Sequence, residues 1–458
     1  MENETKTAET KNTDSKPLLS FTSKVTYPTC YKIIFFLLFL VTGLINNLGS
    51  ILIISCSQQF AQNLNSPSLV ALYPMGIIAC SSLARMANSK FCIRISYQLR
   101  MFIISLYFSF GYFFMYVVLH FEHKFNNYVA FALSMVPTLV IGTGTAFGEA
   151  NLLGYIRTFP GDYVSGWSCG TGFAGVSGAL ITLLFKIKNI KTKFLYLVVT
   201  PVGLLFFVCF KIAQVLKDKA DANIPQITGE NPLLIASADT TQVADATVDN
   251  KDVSNDHINE DRSKSRITII TNEKDNKDLN WKNFREGFSV GKRYIINLYL
   301  VYYLEYVLFT GLGERVSHFG FIEDEMFKDY LYEYFCLCYQ IGVLISRSSL
   351  FVLKYINAVE IYTILQIVNL IFWIIEIYTK MVTTWWILFI LQIVVGLFGG
   401  ASYVGCFYFL LESESIEGQL RELCVNIATM FNDWGILTAS LSVLILDNTI
   451  MKNNPFPK

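Results

Sequence analysis

The chain predicts an all-α polytopic membrane protein of about eleven helices in two halves. Three observations carry that prediction. Apolar runs of about 20 residues, the length that crosses a bilayer, recur along the sequence. Hydrophobic residues make up 53% and charged residues 16%, where soluble domains carry about 25% charged. The charge is also segregated: most of it lies before residue 30, between residues 211 and 293, and in short connectors.

Taken in order, the runs are 33–55, 68–87, 95–119, 128–157, 166–186 and 194–215, then 294–313, 331–351, 358–379, 384–411 and 422–446. They define a polar tail (1–30), a first half of six helices (31–216), a linker (217–291), a second half of about five helices (292–447) and a C-terminal tail (448–458). The linker is rich in Asp, Asn, Lys, Thr and Ser and has no sustained apolar period, so it is expected to be disordered. The first 20 residues lack a charged, apolar and cleavable pattern, so no signal peptide is expected. Arg85, Lys90, Arg94 and Arg100 around the second connector place the N-terminus and linker in the cytosol. Lys186, Lys188, Lys191 and Lys193 between spans five and six oppose this, and an odd span count puts the C-terminus in the lumen.

Polar groups inside these runs mark candidate function. Gly142-Thr-Gly-Thr-Ala-Phe-Gly-Glu149 puts a carboxylate at membrane depth, where it should face the bundle interior or a watery path. Its glycines admit a neighbouring backbone. In span one, Asn46 and Asn47 point in different directions; one can bond a neighbouring helix while the other lines a cavity. Glu305 shares a face with Tyr302 and Phe309 in span seven. It reads either as a proton-titrating or substrate-contacting carboxylate or as the partner of Arg347. Gln340 and Arg347 lie on one stripe of span eight. Arg347 suits a phosphate or carboxylate, and equally a gate or snorkelling position at the helix end. Ser165-Gly-Trp-Ser-Cys-Gly-Thr-Gly-Phe-Ala-Gly175 is a close-packing helix in which Ser168 and Thr171 offer polar contacts, not a phosphate loop. His120, His123 and His318 fall in connectors, where solvation or pH sensing both fit.

Other classes are disfavoured. Net charge is zero, which gives nucleic acid no basic surface. No cofactor or metal is expected, since no CxxC or His/Cys cluster has ligand spacing, and the cysteines read as small buried hydrophobes. No HExxH or GxSxG occurs, so the chain is not expected to be an enzyme. Two acidic dileucine patterns, Asp14 with Leu18-Leu19 and Glu230 with Leu234-Ile235, predict recognition by clathrin adaptors and delivery to a lysosome, vacuole or late endosome.

Six plus five spans around a cytosolic linker resemble the two-half plan of major-facilitator transporters. Glycine-rich helices recur as the fourth span of each half, at Gly142–Gly148 and at Gly396-Leu-Phe-Gly-Gly-Ala-Ser-Tyr403. The ordered set Gly43-Leu-Ile-Asn-Asn47, Gly144–Glu149, Ser165–Gly175, Tyr339-Gln-Ile-Gly-Val-Leu-Ile-Ser-Arg-Ser-Ser349 and Gly396–Val404 is similar to the battenin family, lysosomal and vacuolar membrane proteins linked to Batten disease. Glu305-Tyr306 also matches that family's acidic position in span seven.

The resemblance implies a major-facilitator-like fold, a place in late endosomal and lysosomal membranes, and export of glycerophosphodiesters, with links to lumenal pH and basic amino acids. It carries interest onto Glu149, Glu305 and Arg347: the acids as proton couplers, the arginine as an anion contact or gate. Asn46, Asn47, Gln340 and Tyr403 follow as lining residues. Two departures stand out. The chain ends Asn-Pro-Phe-Pro-Lys instead of in the prenylation box of animal relatives, so no lipid anchor is expected. After Pro74 it reads Met-Gly-Ile-Ile-Ala79, lacking the lysine that those relatives carry. The alternatives are a proton-linked basic amino acid transporter or lysosomal pH regulator, and a membrane trafficking regulator that moves no solute.

Overall fold

The computed structural model describes residues 27–63, 67–88, 95–156, 158–159, 163–222, 281–317, 330–382, 384–412, 416, 418–449 and 451. All regular elements among them are helical. The first half comprises α1 (Thr29–Asn63), a second span broken into a 3-10 turn (Pro67–Ala71), α2 (Leu72–Ile78) and α3 (Ser81–Ala87), then α4 (Tyr97–Phe121), α5 (Asn127–Ile156), α6 (Val164–Ile187) and α7 (Thr192–Ala222). The second half comprises α8 (Trp281–Tyr306), which runs through a π-helical segment (Val307–Gly313) into α9 (Glu314–Ser317), then α10 (Leu331–Arg347), α11 (Leu350–Leu353), α12 (Glu360–Thr379), α13 (Trp385–Glu412) and α14 (Gly418–Asn448).

Ten of these helical segments are long and apolar enough to cross a membrane. The 17-residue α10, in the place of the eighth expected span, is roughly 25 Å long at 1.5 Å per residue. Outward faces carry exposed side chains such as Ile33, Leu37, Leu204, Leu205, Ile364 and Val368. With lipid as the solvent for those faces, exposure of this kind is the ordinary outcome.

Helix extends into the stretch expected as linker from both sides: residues 217–222 belong to α7, and 281–291 open α8. Hydropathy ends where a helix leaves the membrane, but hydrogen bonding carries the helix on. Lys217 pairs with Asp221 one turn away at 2.8 Å, and Tyr27 donates to Asp221 at 2.5 Å. Gly287 and Gly291 are buried against Leu423, Ile427 and Leu410. The linker's expected disorder and both dileucine patterns lie outside the described residues.

Each half repeats the same pairings. Within the first, α1 packs on α6 and α2 with α3 on α5; within the second, α8 packs on α14 and α10 on α13. The α4–α7 pair has no counterpart among the described residues, and α12 leans on α8, the π-helical segment, α9 and α13. Glycines allow the approach in corresponding places. A Cβ at Gly142 would overlap the carbonyl of Ile77, and one at Gly396 would overlap that of Tyr339. The recurrent glycine motif of the sequence is thus a repeated backbone contact. The halves meet along α6 with α10 and along α2, α3 and α14.

Gly342→Ala puts its methyl group into the Ile393 carbonyl. It should lower the melting temperature in detergent, with a cost of about 1–3 kcal/mol for overpacking. Gly405 meets nothing nearer than Val359 Cγ1 at 4.0 Å. Gly405→Ala should therefore be neutral or stabilise by up to about 1 kcal/mol through helix propensity. Equal shifts for both would contradict the backbone contact.

Candidate functional site

Between the halves lies a cavity of about 150 Å³. Its first-half wall includes Asn47, Ser50, Arg85, Thr145, Glu149 and Thr171; its second-half wall includes Tyr302, Tyr306, Gln340, Arg347, Tyr403 and Asp433. Polar side chains in a membrane interior are costly unless matched, and the matches define the site.

The two asparagines divide their roles. Asn46 is fully buried, and its amide donates to the Thr145 carbonyl of α5 at 3.2 Å. Gly148 makes room for it, since a Cβ there would overlap Asn46 Oδ1. Asn47 lines the cavity and donates to Gly43 on its own helix at 3.3 Å. Asn46 is therefore interhelical glue and Asn47 a wall residue.

Glu149 has two partners from different halves. Arg85 of α3 donates to its Oε2 at 2.7 Å, and the Tyr403 hydroxyl of α13 donates to its Oε1 at 3.0 Å. Arg85 Nε also lies 3.5 Å from Asp433 Oδ2 on α14. One cation is thus matched by two carboxylates.

Arg347 is matched differently. Its guanidinium donates to Thr171 Oγ1 at 2.7 Å and to the Tyr302 hydroxyl at 3.4 Å, and sits 4.6 Å from the centre of the Tyr403 ring. Its Nε makes no hydrogen bond. All these partners are neutral, and the alternative pairing with Glu305 does not form. Arg347 is at a helix end, as expected, but bridges α10 to α6 of the other half instead of snorkelling outward.

Glu305 is outside the cavity wall. It is 1% exposed and accepts from the Tyr339 hydroxyl at 2.7 Å, while its Oε2 has no hydrogen-bond partner. Gly399 of α13 passes directly over it, where a Cβ would overlap the carboxylate. Tyr339 in turn stacks on Phe309 at 4.2 Å and lines the cavity. Gln340 lines it too, and its side chain is accommodated by Gly175 of the opposite half.

The end remote from the linker is sealed by contacts between halves. Lys186 pairs with Glu333, the Tyr332 hydroxyl meets Ser57 at 3.1 Å and the Ile54 carbonyl at 3.2 Å, and Gln58 donates to Ser317 at 3.0 Å. The discordant lysine connector lies at this end: Lys186 pairs with Glu333, and Lys193 stands 3.4 Å from His120 Nδ1. His318 lies outside the described residues.

Sequence reasoning missed Arg85, Asp433, Tyr302 and Tyr306 as wall residues. Arg85 was counted as connector charge. Asp433 carried the same signal that singled out Glu149, an acid inside an apolar run. The tyrosines carried none, being ordinary in a chain with 25 of them.

Two helical halves around a polar central cavity define a multi-pass membrane protein of major-facilitator architecture. Solved structures agree on that fold. A bacterial homologue of the human lysosomal transporter Spinster, inward-facing and unoccupied, superposes with a TM-score of 0.52 at 13% identity, covering 93% of this chain and 85% of that one. A D-xylose–proton symporter gives 0.53 at 13% identity over 92% and 91%. The sequence model of the CLN3 protein matches residues 34–453, and the chain belongs to that family. Battenin of Dictyostelium discoideum is 28% identical over 89% of this chain and 93% of its own length. Protein BTN1 of Eremothecium gossypii is 24% identical over 89% and 93%. Battenin of Canis lupus familiaris is 26% identical over 70% and 66%.

Arg85→Gln should destabilise the fold more than Glu149→Gln. The first leaves two facing carboxylates without their cation, at about 3 kcal/mol, the low end for breaking a buried pair. The second leaves Arg85 with Asp433. Melting temperatures in detergent check the order, and the reverse order would contradict the triad.

Proposed function

We propose that this protein is a transporter of the lysosomal or vacuolar membrane that exports glycerophosphodiesters from the lumen by alternating access. One observation carries the reading. Of the two arginines facing the cavity, Arg85 is matched by carboxylates and Arg347, among the described residues, is not. An arginine held by hydroxyls and a ring, inside a membrane protein, lacks a counter-charge. A phosphodiester supplies one negative charge and two oxygens in the geometry a guanidinium binds. The hydroxyls of Tyr302, Tyr306 and Thr171 around it suit a glycerol. The sealed end remote from the linker and the cavity behind it support alternation between two openings.

The basic amino acid reading draws on Glu149 and Asp433. Both already serve Arg85, so a cationic cargo would have to displace an internal cation. That makes it the second choice. The polar cavity between the halves weighs against a regulator that moves nothing. Delivery to the lysosome is assigned to the two dileucine signals, Asp14 with Leu18-Leu19 and Glu230 with Leu234-Ile235, read by clathrin adaptors.

Flux of labelled glycerophosphodiesters and of arginine into proteoliposomes, with and without a pH gradient, tests the reading. Arg347→Gln should lower phosphodiester flux by about 10- to 100-fold, the worth of a charge-assisted hydrogen bond. Arginine flux without phosphodiester flux would replace this reading with the second. Glu305→Gln keeps the acceptor for Tyr339 and removes the titratable proton. Because Glu305 has no face on the cavity, any pH-gradient dependence should survive that substitution, and its loss would make Glu305 the proton carrier.

A further inference from the structure

We propose that Asp433 is the proton-binding residue of the transport cycle, and that separation of the halves from Arg85 is what exposes it to protonation. The inference rests on the alternating-access reading and adds to it the coupling group.

The argument comes from an asymmetry in the Arg85 triad. Arg85 and Glu149 belong to the same half, and their contact is a hydrogen-bonded ion pair at 2.7 Å. Asp433 belongs to the other half. Its contact with Arg85 is an ion pair at 3.5 Å, and neither Arg85 Nε nor Asp433 Oδ2 has a hydrogen-bond partner. When the halves part at the linker end, Arg85 stays with Glu149. Glu149 loses Tyr403 but keeps its cation. Asp433 loses Arg85.

Asp433 is 5% exposed in the closed arrangement. The groups facing it are Glu149 from α5, which leaves with Arg85, and the phenols of Tyr302 and Tyr306 from α8 and Tyr403 from α13, which stay on its own half. Arg347 is on the same wall but engaged with Thr171 and Tyr302. A carboxylate among phenols and without a cation takes a proton from water entering the opened side more readily than one paired with Arg85. Re-closure brings Arg85 back and releases that proton. The paired state holds the carboxylate ionised and the parted state holds it neutral, so acid favours parting.

Cys169 and Ser348 report the linker-end closure, since their Sγ and Oγ lie 3.5 Å apart across the two halves. In full-length protein in proteoliposomes, Ser348→Cys should form a disulfide with Cys169 under mild oxidant, identified by peptide mass spectrometry. Between about pH 8 and pH 5 the ratio of parted to closed protein should rise with acid by up to about tenfold per unit, the limit for one linked proton. Asp433→Asn in the same background should show a low cross-linked fraction without this response, and the ratio of the two removes the intrinsic pH dependence of thiol oxidation. Asp433→Glu should retain the response, which covers the case in which the asparagine variant does not accumulate.

An acid response that persists in Asp433→Asn, or vanishes in Asp433→Glu, overturns the assignment and leaves alternating access standing. Solute flux through the cross-linked protein overturns both. A cross-link independent of pH in the Ser348→Cys protein itself also overturns the assignment.

Discussion

Arg85 must be neutralised where it sits, because a guanidinium in a membrane interior has no water to fall back on. The neutralising groups come from both halves, Glu149 from one and Asp433 from the other. The consequences spread outward along a chain of contacts. Glu149 fixed by Arg85 receives the Tyr403 hydroxyl. Tyr403 so placed presents its ring to Arg347. Arg347 then reaches across to Thr171. Each step crosses between the halves or prepares a crossing, so the cavity wall is one linked system and not a set of independent side chains.

Close backbone approach makes that linkage achievable. Where glycine lies under a carbonyl, as at Gly142 on Ile77 and Gly396 on Tyr339, two helices draw together and the polar faces beyond them converge on the centre. Lipid offers no hydrophobic drive for helices to associate, so contact area must come from such packing. The same device serves both halves, and Gly399 applies it once more to roof Glu305.

The spans were legible because the bilayer imposes a length and a composition, and both are written in consecutive residues. The polar positions within them were legible for the same reason: Glu149, Arg347 and the Asn46-Asn47 pair stand out against an apolar background. Whether such a residue faces a cavity or a helix was not legible. Glu305 and Glu149 read alike in sequence, yet one is shut behind Tyr339 and the other lines the cavity. Partner choice between distant helices decides that, and one chain carries no record of it. Arg85 was misjudged through position: it lies in the last turn of the short, broken second span, so its end-of-helix location in sequence is an interior location in space. The polar ends of α7 and α8 were misjudged through hydropathy, which reports the membrane boundary and not the helix boundary.

The π-helical segment from Val307 to Gly313 has an implication for insertions and deletions. A π turn is an α-helix carrying a surplus residue, so the segment stores an offset between the two parts of the seventh span. Removing one residue there would restore ordinary α-helical winding while Tyr302 and Glu305 on one side and Arg315 on the other keep their facing, so Arg315 would stay beside Asp447, now 2.7 Å away. Removing one from the α-helical stretch just before the segment would instead turn everything beyond it by about 100° relative to Tyr302. The segment therefore absorbs a change in residue number that the α-helical part of the span would pass on to its far end.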